Sequence, residues 1–84
     1  MSGQYPPLTP AQVENVLEKA EFRFDRNEGS HFIWEGYIGG QRRIVPVDHF
    51  GGQKSTTVSK NLLGRIIRQS GLSKKEFYNI HFGR

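Results

Sequence analysis

The first periodic pattern along the chain is that of an amphipathic helix. After a polar segment over residues 1–8, Thr9 and Gln12 have the spacing of a capping box, and Pro10 suits the first helical position, where a missing N–H costs nothing. Apolar side chains then recur at helical intervals, at Val13, Val16, Leu17 and Ala20. We therefore predict a helix over Pro10–Ala20, preceded by a flexible tail over residues 1–8.

Three short segments follow whose patterns predict an antiparallel meander. Residues 22–26 alternate apolar with charged side chains and suggest a half-buried strand, and residues 31–38 form an apolar run. Residues 41–47 form a third strand, whose proline favours an edge position or a strand end. Turn-forming residues occupy 27–30, and Gly39-Gly40 has the composition of a two-residue hairpin loop. Consecutive strands joined by such short turns pair antiparallel.

The alternation within residues 31–38 assigns the side chains to two faces of the sheet. One face carries Phe32, Trp34 and Ile38, with a gap at Gly36. The other face carries His31, Ile33, Glu35 and Tyr37. Because bulky aromatic side chains bury the most apolar surface, we expect Phe32 and Trp34 to face the core and His31 to lie on the open face.

Helical spacing returns after a predicted loop over residues 48–57. An apolar stripe consists of Val58, Leu62, Leu63, Ile66 and Ile67. The stripe ends at Gly71, and Ser73 with Glu76 forms a second capping box before a short last helix. The order α-β-β-β-α plus a short C-terminal helix predicts a single α+β domain over residues 9–82, with two helices covering one face of a three-stranded antiparallel sheet. This layout resembles the double-stranded-RNA-binding fold.

The charge is distributed unevenly along the 84 residues. The formal net charge is +4, and from Gln41 onward nine Lys or Arg residues face only two acids. Such asymmetry suits a polyanion or an acidic protein, although plain solubility is an alternative explanation. There is no cysteine to form a disulfide or a thiolate metal site. Neither a secretory leader nor a membrane-spanning run is recognisable, so we expect a cytoplasmic protein without membrane contact.

His31 is the strongest candidate for chemistry, and the turn Gly29-Ser30 delivers it to the start of its strand. An imidazole titrates near neutrality, so it can take a proton from a ribose 2′-hydroxyl or return one to a leaving 5′-oxygen. Ser30 is a candidate to orient the ring or to donate to phosphate. The competing interpretation is an incidental or packed histidine. His49 is left open as an auxiliary acid or base, a phosphate contact or a surface residue.

Basic residues in the second half of the chain predict an RNA-binding surface. Lys54 and Lys60 lie near the N-terminus of the second long helix, where free N–H groups and the helix dipole favour phosphate. Arg65 and Arg68 lie on the polar side of that helix, and Arg43 lies on the third strand. We predict that these five residues track phosphates, with an ordinary solvated face as the alternative.

Neither a metal nor a nucleotide cofactor is expected. The candidate ligands His31, Glu35, Asp48 and His49 lack the spacing of a metal site. The segment Gly51-Gly52-Gln53-Lys54-Ser55 departs from a P-loop, because Gln53 stands where glycine must precede the lysine.

Taken together, these residues resemble the HicA toxin family, small messenger-RNA interferases of toxin–antitoxin systems. The resemblance spans Thr9 to Tyr78. Its most specific parts are Arg26-x-x-Gly29-Ser30-His31 followed by Trp34, then Val45-Pro46 with a histidine shortly after, then Leu62-x-x-x-Ile66-x-x-Gln69-x-Gly71-Leu72-Ser73 and Phe77. The resemblance implies a metal-independent endoribonuclease that cleaves mRNA with His31 as its catalytic residue. It also implies a HicB-like acidic antitoxin that covers the histidine.

Two other functions remain open from the residues alone. A non-catalytic RNA-binding module with the same fold would bind RNA in a salt-sensitive way and show no turnover, because phosphate contacts release counterions. An interaction protein would use its positive charge to bind an acidic partner and would have no affinity for RNA.

Overall fold

The described part of the chain folds into three helices and a three-stranded antiparallel sheet in strand order β1-β2-β3. The computed structural model describes residues 5–48 and 56–84. The elements are α1 (Pro10–Lys19), β1 (Arg23–Glu28), β2 (His31–Ile38), β3 (Gln41–Asp48), α2 (Lys60–Ser70) and α3 (Lys74–Phe82). This order confirms the predicted α+β architecture, which is that of the double-stranded-RNA-binding fold. Among the described residues, no helix combines the length and hydropathy needed to cross a bilayer.

The β2–β3 hairpin sets the register on which the candidate site depends. Gly39 and Gly40 have φ angles of +64° and +77°, so both adopt the left-handed conformation that a tight two-residue loop requires. Ile38 therefore pairs with Gln41, and the ladder continues to the far end of the hairpin, where His31 pairs with Asp48. Directly opposed residues point to the same face of a sheet, so His31 and Asp48 lie side by side on one face.

The helix ends follow the local signals in the sequence. Thr9 and Gln12 form the predicted capping box at α1, and Ser73 and Glu76 form the second at α3. Ser59 caps α2 by accepting a hydrogen bond from the backbone N–H of Leu62, so this helix begins two residues after the first apolar position of its stripe.

The core lies between the sheet and the helices. Helices α1 and α2 pack on β3, and α3 packs on α1 and α2. The fully buried side chains include Val13, Leu17, Val45, Val47, Ile66 and Phe77. Leu8 also lies in the core, and its carbonyl accepts a 2.7 Å hydrogen bond from the backbone N–H of Val58. Residues 5–8, the end of the predicted tail, therefore contact the fold.

The strand β1 differs from the half-buried strand that the alternation predicted. Phe22 is buried, but it precedes the strand, and all six residues of β1 are exposed. A register irregularity between Phe24 and Arg26 interrupts the alternation. The strand is exposed because it lies at the edge of the sheet farthest from β3, and β3 is the strand on which the helices pack. Phe24 consequently stacks against Phe32 and Trp34 at centroid distances of 5.7 and 5.9 Å while remaining 48% exposed.

Gly36 lets the segment before β1 approach the sheet. The ring of Phe22 occupies the space beside this glycine, and a Cβ at Gly36 would lie 2.6 Å from the ring. Trp34 lies two residues earlier on the same face and donates a 2.8 Å hydrogen bond from Nε1 to Glu14 of α1. The gap in the aromatic face of β2 is thus filled by a side chain from another part of the chain.

Candidate active site

The histidine predicted to carry the chemistry lies exposed at the start of β2. The turn between β1 and β2 consists of Gly29 and Ser30, and Gly29 adopts a left-handed φ of +64°. Glu28 and His31 pair across this turn. The tight reversal places the imidazole at the corner of the sheet, accessible to solvent.

His31 lines a groove of about 270 Å³ at the edge where β3 meets α2. We call this the His31 groove. The strands contribute His31, Pro46 and Asp48, and α2 contributes Leu62, Arg65 and Gln69. The groove forms because β3 is an edge strand, so a helix packed on it can extend side chains past the sheet margin.

The helical side of the groove follows from spacing along α2. Leu62, Arg65 and Gln69 are three and four residues apart, which aligns them along one flank of the helix. The residues that bury α2 against the core are Leu63, Ile66, Ile67 and Ser70, on the neighbouring face. Because the core residues fix the rotation of α2, the Arg65 guanidinium is held on the side of the helix that faces His31.

The groove combines four kinds of polar group within reach of one ligand. Arg65 is exposed and offers a planar fork of N–H donors, which suits a phosphate. Gln69 adds an amide, His31 adds an imidazole, and the carboxylate of Asp48 stands beside the histidine in the register. A guanidinium and an imidazole that line one groove can together bind a phosphodiester and move a proton at its ribose.

Two arginines near the histidine strand, Arg26 and Arg42, form ion pairs with carboxylates. Arg26 donates to Glu28 at 2.8 Å and also to Asp25, and these hydrogen bonds raise the pKa of the arginine above its ordinary value. Arg42 donates to Glu35, and this contact likewise raises the pKa of Arg42. Both arginines therefore hold their charge beside an acid. Such exposed pairs contribute little to stability, but they lower the net positive charge around β2.

Arg43 lies on the opposite face of the sheet from the His31 groove. It pairs with Gly36, so its side chain points toward the helices. Its guanidinium makes long hydrogen bonds of 3.4 Å to the carbonyl of Ile38, and it lies against Gly71, whose Cβ would come 2.7 Å from Nε. Gly71 caps the C-terminus of α2, and a cation beside it interacts favourably with the negative end of the helix dipole. The structure therefore gives Arg43 a packing role and does not bring it near His31.

The remaining predicted phosphate contacts are divided. Lys60 and Arg68 lie on the other flank of α2, where they line a second groove. Only Arg65 of the α2 cations shares a groove with His31. Lys54 and His49 lie outside the described residues. Within residues 5–48 and 56–84, no group of three or more His, Cys, Asp or Glu residues is arranged to hold a metal ion.

From the sequence, Asp48 was considered only as a metal ligand and Gln69 was named only within the family motif, so neither residue was assigned to the site of His31. Both residues could have been identified from the sequence. A two-residue loop at Gly39-Gly40 fixes the partner of His31 as Asp48, because paired positions lie at equal distances from the loop. The spacing of Gln69 from Arg65 places both on one flank of a helix. What the sequence could not supply is which flank of α2 meets the corner of the sheet.

Comparison with known proteins adds one finding to this geometry. A family model described as the HicA toxin of bacterial toxin–antitoxin systems matches residues 10–72. The matched region begins with α1, contains the whole sheet and ends two residues after α2. No curated protein sequence matches the chain significantly.

Proposed function

The chain belongs to the HicA toxin family of bacterial toxin–antitoxin systems, and from this premise we propose that it is a metal-independent endoribonuclease that cleaves messenger RNA. His31 is the catalytic residue. The observation that carries the proposal is the exposed imidazole of His31 in one groove with the guanidinium of Arg65. We expect the protein to act in the cytoplasm, where messenger RNA is translated.

The proposed reaction needs a base, a cation and the substrate's own hydroxyl. His31 removes the proton from a ribose 2′-hydroxyl, and the 2′-oxygen attacks the adjacent phosphorus. The bond from phosphorus to the 5′-oxygen breaks, and that oxygen takes a proton from solvent while the imidazolium returns its proton to solvent. The products are a 2′,3′-cyclic phosphate and a 5′-hydroxyl. Arg65 stabilises the negative charge that grows on the phosphoryl oxygens.

The supporting residues act on His31 and on the phosphate. Gly29 and Ser30 hold the turn that presents the imidazole, and the Ser30 hydroxyl is a candidate donor to phosphate. Asp48, the cross-strand partner of His31, is a candidate to orient the ring. One general catalyst contributes roughly 10²–10⁴-fold, so a site with one histidine makes a slow nuclease. His49 remains a candidate for a second acid or base.

We further propose that a HicB-like acidic antitoxin neutralises the enzyme by covering the His31 groove. The exposure of His31 and Arg65 makes this corner of the molecule accessible to a protein surface. An acidic side chain of the antitoxin that pairs with Arg65 would occupy the place of the phosphate.

A non-catalytic RNA-binding module is the alternative function. The observation that favours it is the division of the α2 cations, since Lys60 and Arg68 lie on the flank away from His31. Such a module would bind RNA through Lys60, Arg68 and Lys54 with an affinity that falls steeply with salt, and it would leave the RNA intact.

A cleavage assay in the presence of a chelator separates the two functions. We expect the purified protein to cut a labelled messenger RNA in EDTA at an undiminished rate, because no step of the proposed reaction uses a metal ion. If the RNA binds in a mobility-shift assay but is recovered intact after long incubation, the nuclease function is contradicted and the RNA-binding module is supported.

The role of Arg65 is tested by a substitution that removes its charge and keeps most of its length. We expect Arg65→Gln to lower kcat/KM for RNA cleavage by about 10–100-fold, since hydrogen bonds to a charged group are worth about 1.5–3 kcal/mol. Arg65→Lys should recover part of this loss because it restores the charge without the planar fork. Lys75→Gln, an exposed lysine of α3 outside both grooves, is the matched control. Equal losses for Arg65→Gln and Lys75→Gln would contradict a specific role for Arg65.

A further inference from the structure

A second and larger groove runs along the other flank of α2. It has a volume of about 680 Å³ and lies between α2, the start of α3 and the segment that precedes α1. We call it the α2–α3 groove. Its volume falls in the range of roughly 300–1,000 Å³ that is typical of binding pockets. Residues Lys60, Gly64 and Arg68 line it at four-residue intervals, whereas Leu62, Arg65 and Gln69 face the His31 groove.

The interior of the α2–α3 groove is apolar. Aliphatic side chains from α2 and its flanking segments form it, namely Val58, Leu63, Ile67 and Leu72. The glycine at position 64 keeps the groove open, since a Cβ there would meet nothing closer than Arg68 at 3.9 Å. A concave aliphatic surface of this kind favours the apolar side chains of another polypeptide.

The rim of the groove is cationic. Lys60, Arg68 and Lys74 are exposed around it, and none of the described lining residues is acidic. Lys74 is held over the ring of Tyr5, with Nζ 4.7 Å from the centroid. Three positive charges around an apolar floor complement a ligand that carries apolar and acidic side chains together.

The aromatic residues of the groove do not suit a nucleobase. Tyr5 and Tyr78 contact each other at a centroid distance of 4.8 Å, so no slot for a base lies between them. Tyr78 is only 2% exposed, and Tyr5, although 42% exposed, has the Lys74 Nζ over its ring. Base recognition in single-stranded RNA requires exposed aromatic faces. The groove therefore favours a peptide over RNA.

A hydrogen bond fixes the wall of the α2–α3 groove next to α3. The hydroxyl of Tyr78 donates a 2.6 Å hydrogen bond to the carbonyl of Pro6, which ties the segment before α1 to α3. Burial raises the pKa of Tyr78, so this hydroxyl keeps its proton at neutral pH and remains a donor. A preformed wall lowers the entropy cost of binding a ligand.

We propose that the α2–α3 groove binds an acidic amphipathic segment of a partner protein. The apolar side chains of the segment enter the groove between α2 and α3, and its carboxylates pair with Lys60, Arg68 and Lys74. Because the two grooves lie on opposite flanks of α2, a partner bound here leaves His31 accessible. The proposal does not depend on the nuclease function, since binding is measured without any cleavage.

A selection from random peptides tests the proposal. A phage-displayed library of random linear peptides is enriched on the wild-type protein, and one enriched peptide is labelled for fluorescence polarisation. We expect acidic amphipathic sequences to be enriched. Their affinity should fall at least about tenfold in Gly64→Leu, which fills the groove, and should fall with added salt. Gly64→Leu should keep the helix, since leucine has the higher helix propensity.

Three further variants make the result specific. Gly64→Ala adds only a Cβ in open space and should retain most of the affinity. Lys60→Glu should weaken binding by charge reversal without filling the groove, and it replaces Gly64→Leu as the test if that variant fails to fold. Lys75→Glu, an equal charge reversal outside the groove, should bind normally.

Several results would overturn the proposal. These are a library that yields no binder, one that yields only non-acidic binders, and binders that are insensitive to both Gly64→Leu and Lys60→Glu. An RNA oligonucleotide whose binding is lost in Gly64→Leu would assign the groove to RNA. A wild-type dimer in sedimentation that becomes a monomer in Gly64→Leu would assign it to a second copy of this chain.

Discussion

The substitution His31→Ala is expected to lower the rate of RNA cleavage by roughly 10²–10⁴-fold, the usual contribution of one general acid or base. The loss arises in the chemical step, because the variant has no group to take the 2′-hydroxyl proton. RNA affinity should change little, since Arg65 still binds phosphate. The fold should survive because the His31 side chain is exposed, and substitutions at such positions usually change stability by less than about 0.5 kcal/mol.

The matched control is the histidine of α3. His81→Ala removes an imidazole that contacts Tyr78 and Phe82 rather than the His31 groove, so it should retain cleavage. Single-turnover rates on a labelled RNA and thermal melting of all three proteins give the measurement. Expression of the wild type in a bacterial host should arrest growth, and His31→Ala should not. Full cleavage by a folded His31→Ala protein would remove His31 from the mechanism.

The second large effect is expected at Gly36 and concerns stability. A Cβ at this position would lie 2.6 Å from Cγ of Phe22, which is itself only 2% exposed and has little room to move. We expect Gly36→Ala to lower the free energy of unfolding by about 1–3 kcal/mol, the usual cost of forcing extra volume into a packed core. Urea denaturation followed by circular dichroism measures the change.

Two comparisons test whether the contact with Phe22 is the cause. Gly64→Ala places the same methyl group in open space on a helix, and it should stabilise the protein by up to about 1 kcal/mol. In a Phe22→Ala background, Gly36→Ala should cost much less than in the wild type, since the clashing ring is gone. Equal costs of Gly36→Ala in both backgrounds would show that the ring is not what excludes a side chain.

Most of the fold was predictable because its signals are local. The capping residues Thr9 and Ser73 begin their helices where the sequence indicated, and Gly39-Gly40 sets the hairpin register without reference to the rest of the chain. The assignment of Trp34 to the helix-facing side of the sheet followed from period-two alternation and from the bulk of the aromatic side chains. Such signals act over a few residues, so one sequence suffices to interpret them.

The burial of β1 was not predictable from the same kind of signal. The alternation in β1 favours a half-buried strand, but a strand is buried only if helices pack against it, and that depends on the tertiary structure. Here α1 and α2 pack on β3, and Phe24 at the far edge remains exposed. The burial of Leu8 in the core, at the end of the predicted tail, is a tertiary property of the same kind.

The candidate site was predictable in its central residue and less so in its surroundings. The exposure of His31 followed from the alternation in β2, and it agrees with the structure. The division of the cations did not follow. Arg65 lies beside the histidine, while Arg43 packs against Gly71 on the other face, and Arg68 lines the α2–α3 groove. The composition gives the number of charges. Which of them share a groove depends on the rotation of α2 and on the face of the sheet to which each side chain of β3 points.

The chemistry of the product ends tests the central claim most directly. A labelled RNA is incubated with the wild-type protein in EDTA, and the fragments are analysed by mass spectrometry. Attack by the 2′-oxygen predicts a 2′,3′-cyclic phosphate on one fragment and a 5′-hydroxyl on the other, and it predicts no cleavage where a 2′-O-methyl group blocks the nucleophile. Cleavage that requires a divalent metal, that leaves 5′-phosphate ends or that proceeds at 2′-O-methylated positions would contradict a reaction initiated by His31.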